Sequence, residues 1–249
     1  MNFMFDAAPR GLARIGGALY LANIVLGAFA IGVVPAMIGI EPDAEATAQN
    51  IQTHELLYRL GLAAHVVVTV TNVPLAVIFY ELFKVVNRRL ALLDAFLILV
   101  ATAIEAGGLL DQFAPLALLS GGSSATTSAV QLQAVAFAPG GVLSGINYSI
   151  YTVFFALDIL CASYLVFRST FLPRAIGVLR AIDGLAYLVY GFADLVAPAF
   201  AARLVPWIQL PVLPAEGSLC LWLLVFGVDV ARWNKVASAA VSPSRLWSQ

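Results

Sequence analysis

Residues 15–40 read IGGALYLANIVLGAFAIGVVPAMIGI, a run without one charged side chain. A helix needs about 20 apolar residues to cross a hydrocarbon core about 30 Å thick. The apolar stretch of a cleaved leader is about 7–15 residues, so this run is too long for one, despite Arg10 and Arg14 ahead of it. It predicts a retained membrane span. The rest of the chain agrees: of 249 residues, 61% are hydrophobic and 11% charged, whereas an ordinary soluble domain has about 25% charged. Mean hydropathy is +0.93. Thirteen Lys and Arg with fourteen Asp and Glu cannot coat a soluble core of this size. Lipid must be the solvent for most of the surface.

Working outward, the chain divides into six apolar segments near 12–38, 57–84, 89–118, 142–167, 174–198 and 215–232. The expectation is an all-α membrane protein, a bundle of six transmembrane helices forming one domain over 12–232. A cytoplasmic segment precedes it at 1–11, and a disordered cytoplasmic tail follows at 233–249. The acidic stretch after the first span suggests a short surface helix capped by Asp43. Residues 120–141, SGGSSATTSAVQLQAVAFAPGG, read as a loop with room for a short interfacial helix. Pro173 opens the fifth span, since proline suits a first helical turn.

Lys and Arg in short loops set orientation. One side collects Arg10, Arg14, Lys84, Arg88, Arg89, Arg168, Arg174, Arg180, Arg232, Lys235 and Arg245; the other has Arg59 and Arg203. Eleven against two, alternating through six spans, puts both termini on the cytoplasmic side. Net charge is −1, so no basic patch is expected and nucleic acid is not a partner. Cys161 and Cys220 lie in apolar segments without a CxxC pair and read as small packed side chains. There is no HExxH, GxSxG, P-loop or dinucleotide fingerprint. The motifs therefore name no cofactor and no enzyme class.

The informative residues are polar ones inside the spans. A charge at mid-bilayer costs about 2.5–3.5 kcal/mol even on insertion scales, so such groups turn inward and find partners. In the fifth span Arg180, Asp183, Tyr187, Tyr190 and Asp194 follow steps of 3, 4, 3 and 4. They lie within about 80° of arc. Asp94, Glu105 and Gln112 share a face of the third span, as do Asn147, Tyr151 and Asp158 in the fourth and Tyr58, His65, Thr69 and Asn72 in the second. Depth places Glu105, Asp158 and Asp183 near the midplane with Arg180 on their cytoplasmic side, leaving an acidic excess. Glu55, His65, Asp111, Asp194 and Glu216 form an outer layer. Bland readings stand beside these. Arg180 and Asp183 suit an ion pair at i and i+3, Asp94 lies close enough to the boundary to be hydrated, Tyr187 and Tyr190 suit helix packing, and His65 suits an interhelical hydrogen bond.

ARIGGALYL at 13–21, HELLYRLG at 54–61, VNRRLALLDAF at 86–96, YLVFRSTFLPRAIGVL at 164–179 and PAEGSLCLWLLVFG at 214–227 resemble the bacterial membrane family catalogued as domain of unknown function 4386. The resemblance implies a multi-pass fold in a bacterial inner membrane. It assigns no activity, so no catalytic residue is carried over. The chain departs from the family pattern at Asp158, where a histidine or neutral residue is expected, and at Arg180 and Asp183, where aliphatic or small residues are.

Three functions fit. The first is binding or transport of a small molecule or ion, coupled to protons, through a polar seam between spans two to five made by Glu105, Asp158, Asp183, Arg180, Tyr187, Asn147 and Tyr151. The second is an accessory subunit or scaffold with partner membrane subunits. The third is an intramembrane enzyme holding a metal with His65, Asp111, Asp194 and Glu216, since imidazole and carboxylate suit divalent metals. Membrane lipids are partners in all three.

Overall fold

The computed structural model describes residues 9–39, 44–120, 142–208 and 210–241. The cap expected of Asp43 lies outside them. So do the loop expected over 120–141, beyond Ser120, and the tail beyond Val241. The regular elements among the described residues are all helical. They are α1 (Pro9–Ile38), α2 (Ala44–Thr53), α3 (Glu55–Phe83), α4 (Arg88–Ser120), α5 (Val142–Arg168), α6 (Arg174–Val196), α7 (Pro198–Ile208), α8 (Val212–Val225) and α9 (Val230–Val241).

Five segments are long and apolar enough to cross a membrane: Pro9–Ile38, Glu55–Phe83, Arg88–Phe113, Asn147–Arg168 and Arg174–Val196. A sixth exists if Val212–Val225 and Val230–Ala240, which meet at 99°, count as one broken span. The continuous sixth helix expected over 215–232 is thus interrupted. Gly227 is the reason. Its φ of 69° is left-handed, it closes α8 with an N–H bond to the Trp222 carbonyl, and a Cβ there would lie 2.8 Å from Arg10 Cγ. The chain then turns into α9, which occupies much of the stretch read as an unstructured tail. The Trp233 indole anchors α9 by donating to the Leu82 carbonyl at 3.0 Å.

α1 is not uniform. Pro35 has no N–H to offer the carbonyl four residues back. The chain widens into a π-helical turn over Ala28–Val33, where the Val34 N–H reaches Phe29 O. Such turns recur beside functional sites.

The described residues form two compact units. The first comprises the described residues within 1–21, 72–101 and 152–249, the second those within 22–71 and 102–151. The first has a core of Ile78, Leu82, Phe83, Leu165, Val166, Leu219 and Leu223, with Phe83 stacked on Phe171 at 6.1 Å between centroids. In it α6 packs against α7 and α8. The second unit has a smaller core of Val34, Ile38, Ile51, Tyr58, Leu62 and Leu116. Large apolar side chains such as Val70, Phe96, Leu185 and Phe192 are exposed, the surface a lipid-solvated protein presents.

Candidate functional site

α6 builds the main site. Its outward face carries Ile182, Leu185, Val189 and Phe192, each more than half exposed, while Arg180 and Asp183 are buried at 3% and 0%. Gly184 draws α5 close: a Cβ there would lie 2.9 Å from Leu160 Cγ and 3.0 Å from Ile159 Cγ2. That approach sets Asp158 of α5 beside the α6 seam. Tyr20 of α1, Asp94 of α4 and Glu216 of α8 complete the group.

Among the described residues one guanidinium, that of Arg180, serves this cluster. Arg180 Nη1 donates to Tyr20 Oη at 2.8 Å, and its guanidinium lies 5.9 Å from the Tyr20 ring centroid. Glu216 and Asp158 are within its electrostatic range, as are Asp94 and Asp183. Asp94 and Asp158 stand within hydrogen-bonding reach of each other. A bond between two carboxyl groups needs a proton on one of them. Arg180 Nε, Asp94 Oδ1, both Asp183 oxygens and Glu216 Oε1 are buried without a hydrogen-bond partner. The i, i+3 pair of Arg180 and Asp183 is therefore not formed; the guanidinium points across to α1 instead.

Two residues sit elsewhere than the sequence suggested. Asp94, read as hydrated at the boundary, is 3% exposed, because α4 turns it inward toward Asp158. Glu216, read as part of an outer layer, faces Arg180, Asp183 and Asp158. α8 begins only four residues before it and packs on α6.

Glu105 belongs to the second unit, where His65 Nε2 meets its Oε1 at 2.9 Å. Glu105 Oε2 is buried and has no hydrogen-bond partner. Beside the pair a cavity of about 240 Å³ is lined by Tyr58, His65 and Gln112 with Ala30, Ile31 and Val34 of α1. Ala30 and Ile31 belong to the π-helical turn of α1. Tyr58 Oη donates to the Gln112 carbonyl at 2.8 Å. Asn147 Nδ2 donates to the Ile104 carbonyl at 3.0 Å and lies where a Cβ on Gly108 would stand, so it joins α5 to α4. Tyr151 packs on Tyr148 with centroids 5.9 Å apart. In the first unit Tyr187 meets Phe155 edge-on at 5.5 Å.

The four residues considered for a metal are divided. His65 and Asp111 fall in the second unit, Asp194 and Glu216 in the first. Among the described residues no three His, Cys, Asp or Glu are grouped to hold a metal ion.

Substitution separates the members of the second centre. His65→Ala strands a buried carboxylate and should cost about 1–3 kcal/mol. Glu105→Gln keeps an acceptor for His65 and should cost less. Thermal unfolding of both variants in detergent checks the order; equal losses would mean that the 2.9 Å contact contributes nothing specific.

These features define a helical multi-pass membrane protein with ionisable groups gathered inside its helices. The chain belongs to the family described as "Domain of unknown function (DUF4386)", whose model matches residues 15–227. No curated protein and no solved structure matches it.

Proposed function

We propose that this protein is a proton-coupled carrier or binding protein for a small molecule or ion, with the carboxyls around Arg180 as its proton-binding station. The supporting observation is Asp183, fully buried with neither carboxyl oxygen hydrogen-bonded. Buried polar groups that serve only packing are almost always satisfied. Ionisable groups within spans mark ion and proton paths. Four carboxyls around one guanidinium reach charge balance only by holding protons or cations. The cavity beside His65 and Glu105 is the place for a ligand of a few heavy atoms, being smaller than the about 300–1,000 Å³ of drug-sized sites. Both termini face the cytoplasm of a bacterial inner membrane in this reading, which rests on the eleven-to-two distribution of Lys and Arg.

A pH step on the purified protein in weakly buffered detergent tests the proposal by the protons it takes up. Asp183→Asn should take up measurably fewer protons than wild type over the same step. Equal uptake by the two proteins would overturn the assignment.

A further inference from the structure

An open basin of about 1520 Å³ lies at one end of the first unit, between the α3–α4 turn, the α5–α6 turn and α9. Among the described residues seven Lys and Arg line it, with no Asp or Glu. Lys84 pairs with Glu81, and Arg232 with Asp229. Among the described residues the other five, Arg88, Arg89, Arg168, Arg174 and Lys235, have no carboxylate within ion-pair distance, and all are exposed.

Two further features make this a formed concavity. Thr170 holds the left-handed φ of 58°, which a non-glycine residue rarely adopts, and its carbonyl accepts from Arg232 Nη1 at 3.1 Å. The Asp229 N–H bonds the Phe171 carbonyl. The α5–α6 turn and α9 are thereby tied together. Cytoplasmic cations alone follow from membrane insertion, but insertion does not require three separate segments to focus them into one recess.

We propose that this basin seats the phosphate headgroup of an anionic phospholipid. Its walls are the ends of membrane-spanning helices, where headgroups lie. α9 leaves α8 at 99°, so it runs close to the membrane plane when α8 runs across it. The volume exceeds that of one phosphate and suits a headgroup with two. Basic recesses at the cytoplasmic ends of spans bind such lipids. A soluble phosphate compound shares the chemistry but would gain nothing from a basin opening beside the acyl chains.

The test uses full-length protein in neutral detergent, with melting temperature followed as lipid is added. Diphosphatidylglycerol should stabilise it saturably, and phosphatidylcholine should not. Arg88→Gln, Arg89→Gln and Lys235→Gln should each weaken the apparent Kd about fivefold. They should leave the lipid-free melting temperature unchanged, because the three side chains are exposed and lack ion pairs. Inorganic pyrophosphate is the soluble probe. If it stabilises the protein as tightly as the lipid, or if all three variants bind lipid like wild type, the headgroup assignment is wrong.

Discussion

Arg180→Gln should lower stability by about 3–5 kcal/mol, the loss that follows removal of one partner from a buried charge arrangement. Arg180 is 3% exposed and is the cation facing Asp94, Asp158, Asp183 and Glu216. The substitution also removes the donor to Tyr20. Arg180→Lys keeps the charge and should lose less. Adding Asp158→Asn to Arg180→Gln removes one stranded carboxylate and should recover part of the loss, because side chains in one network do not act additively. Thermal unfolding in detergent reads these three and Asp158→Asn alone. Losses that simply add would mean that Arg180 and Asp158 are not coupled.

Gly17→Ala should be the most damaging methyl group that can be added to α1. A Cβ at Gly17 would lie 2.5 Å from Leu224 N, 2.9 Å from Leu224 Cα and 3.0 Å from Cys220 O. These are backbone atoms of α8, so no side chain can yield. Helices in lipid gain from close packing at small residues, not from burial away from water. Separating α1 from α8 should therefore cost at least about 1–3 kcal/mol, the range for an overpacked core. It should also disturb the polar cluster, to which both helices contribute. Gly107, with nothing within 4 Å of a Cβ, is the control. Gly107→Ala should be neutral or stabilising by up to about 1 kcal/mol through helix propensity. Melting temperatures of the two variants should diverge; similar values would argue against the α1–α8 contact.

The membrane fold was legible because it rests on composition and segment length. The burial of Tyr58, His65 and Thr69, and of Arg180 and Asp183, follows the i, i+3 and i+4 spacing that fixes a face. Partners were not legible. Spacing along α4 put Asp94 and Glu105 on one face, yet they join different groups, since the identity of the facing helix is a tertiary fact. Tyr20, the direct partner of Arg180, gave little signal: it stands in an uncharged run where Asn23, three residues on, is the other polar side chain, and no charge marks the face. Glu216 was misplaced because Pro206, Pro211 and Pro214 obscured where α8 begins. Net charge hid the basic basin by averaging it with buried acids. The count of cations on one side held the information, but only folding shows that three segments bring them to one recess.

Infrared difference spectroscopy across a pH titration tests most directly whether the carboxyls around Arg180 exchange protons. The wild-type protein should show a protonated-carboxyl stretch that appears and disappears with pH, and Asp183→Asn and Asp158→Asn should each remove part of it. A titrating band left intact by both substitutions, or no such band in the wild type, would contradict the account.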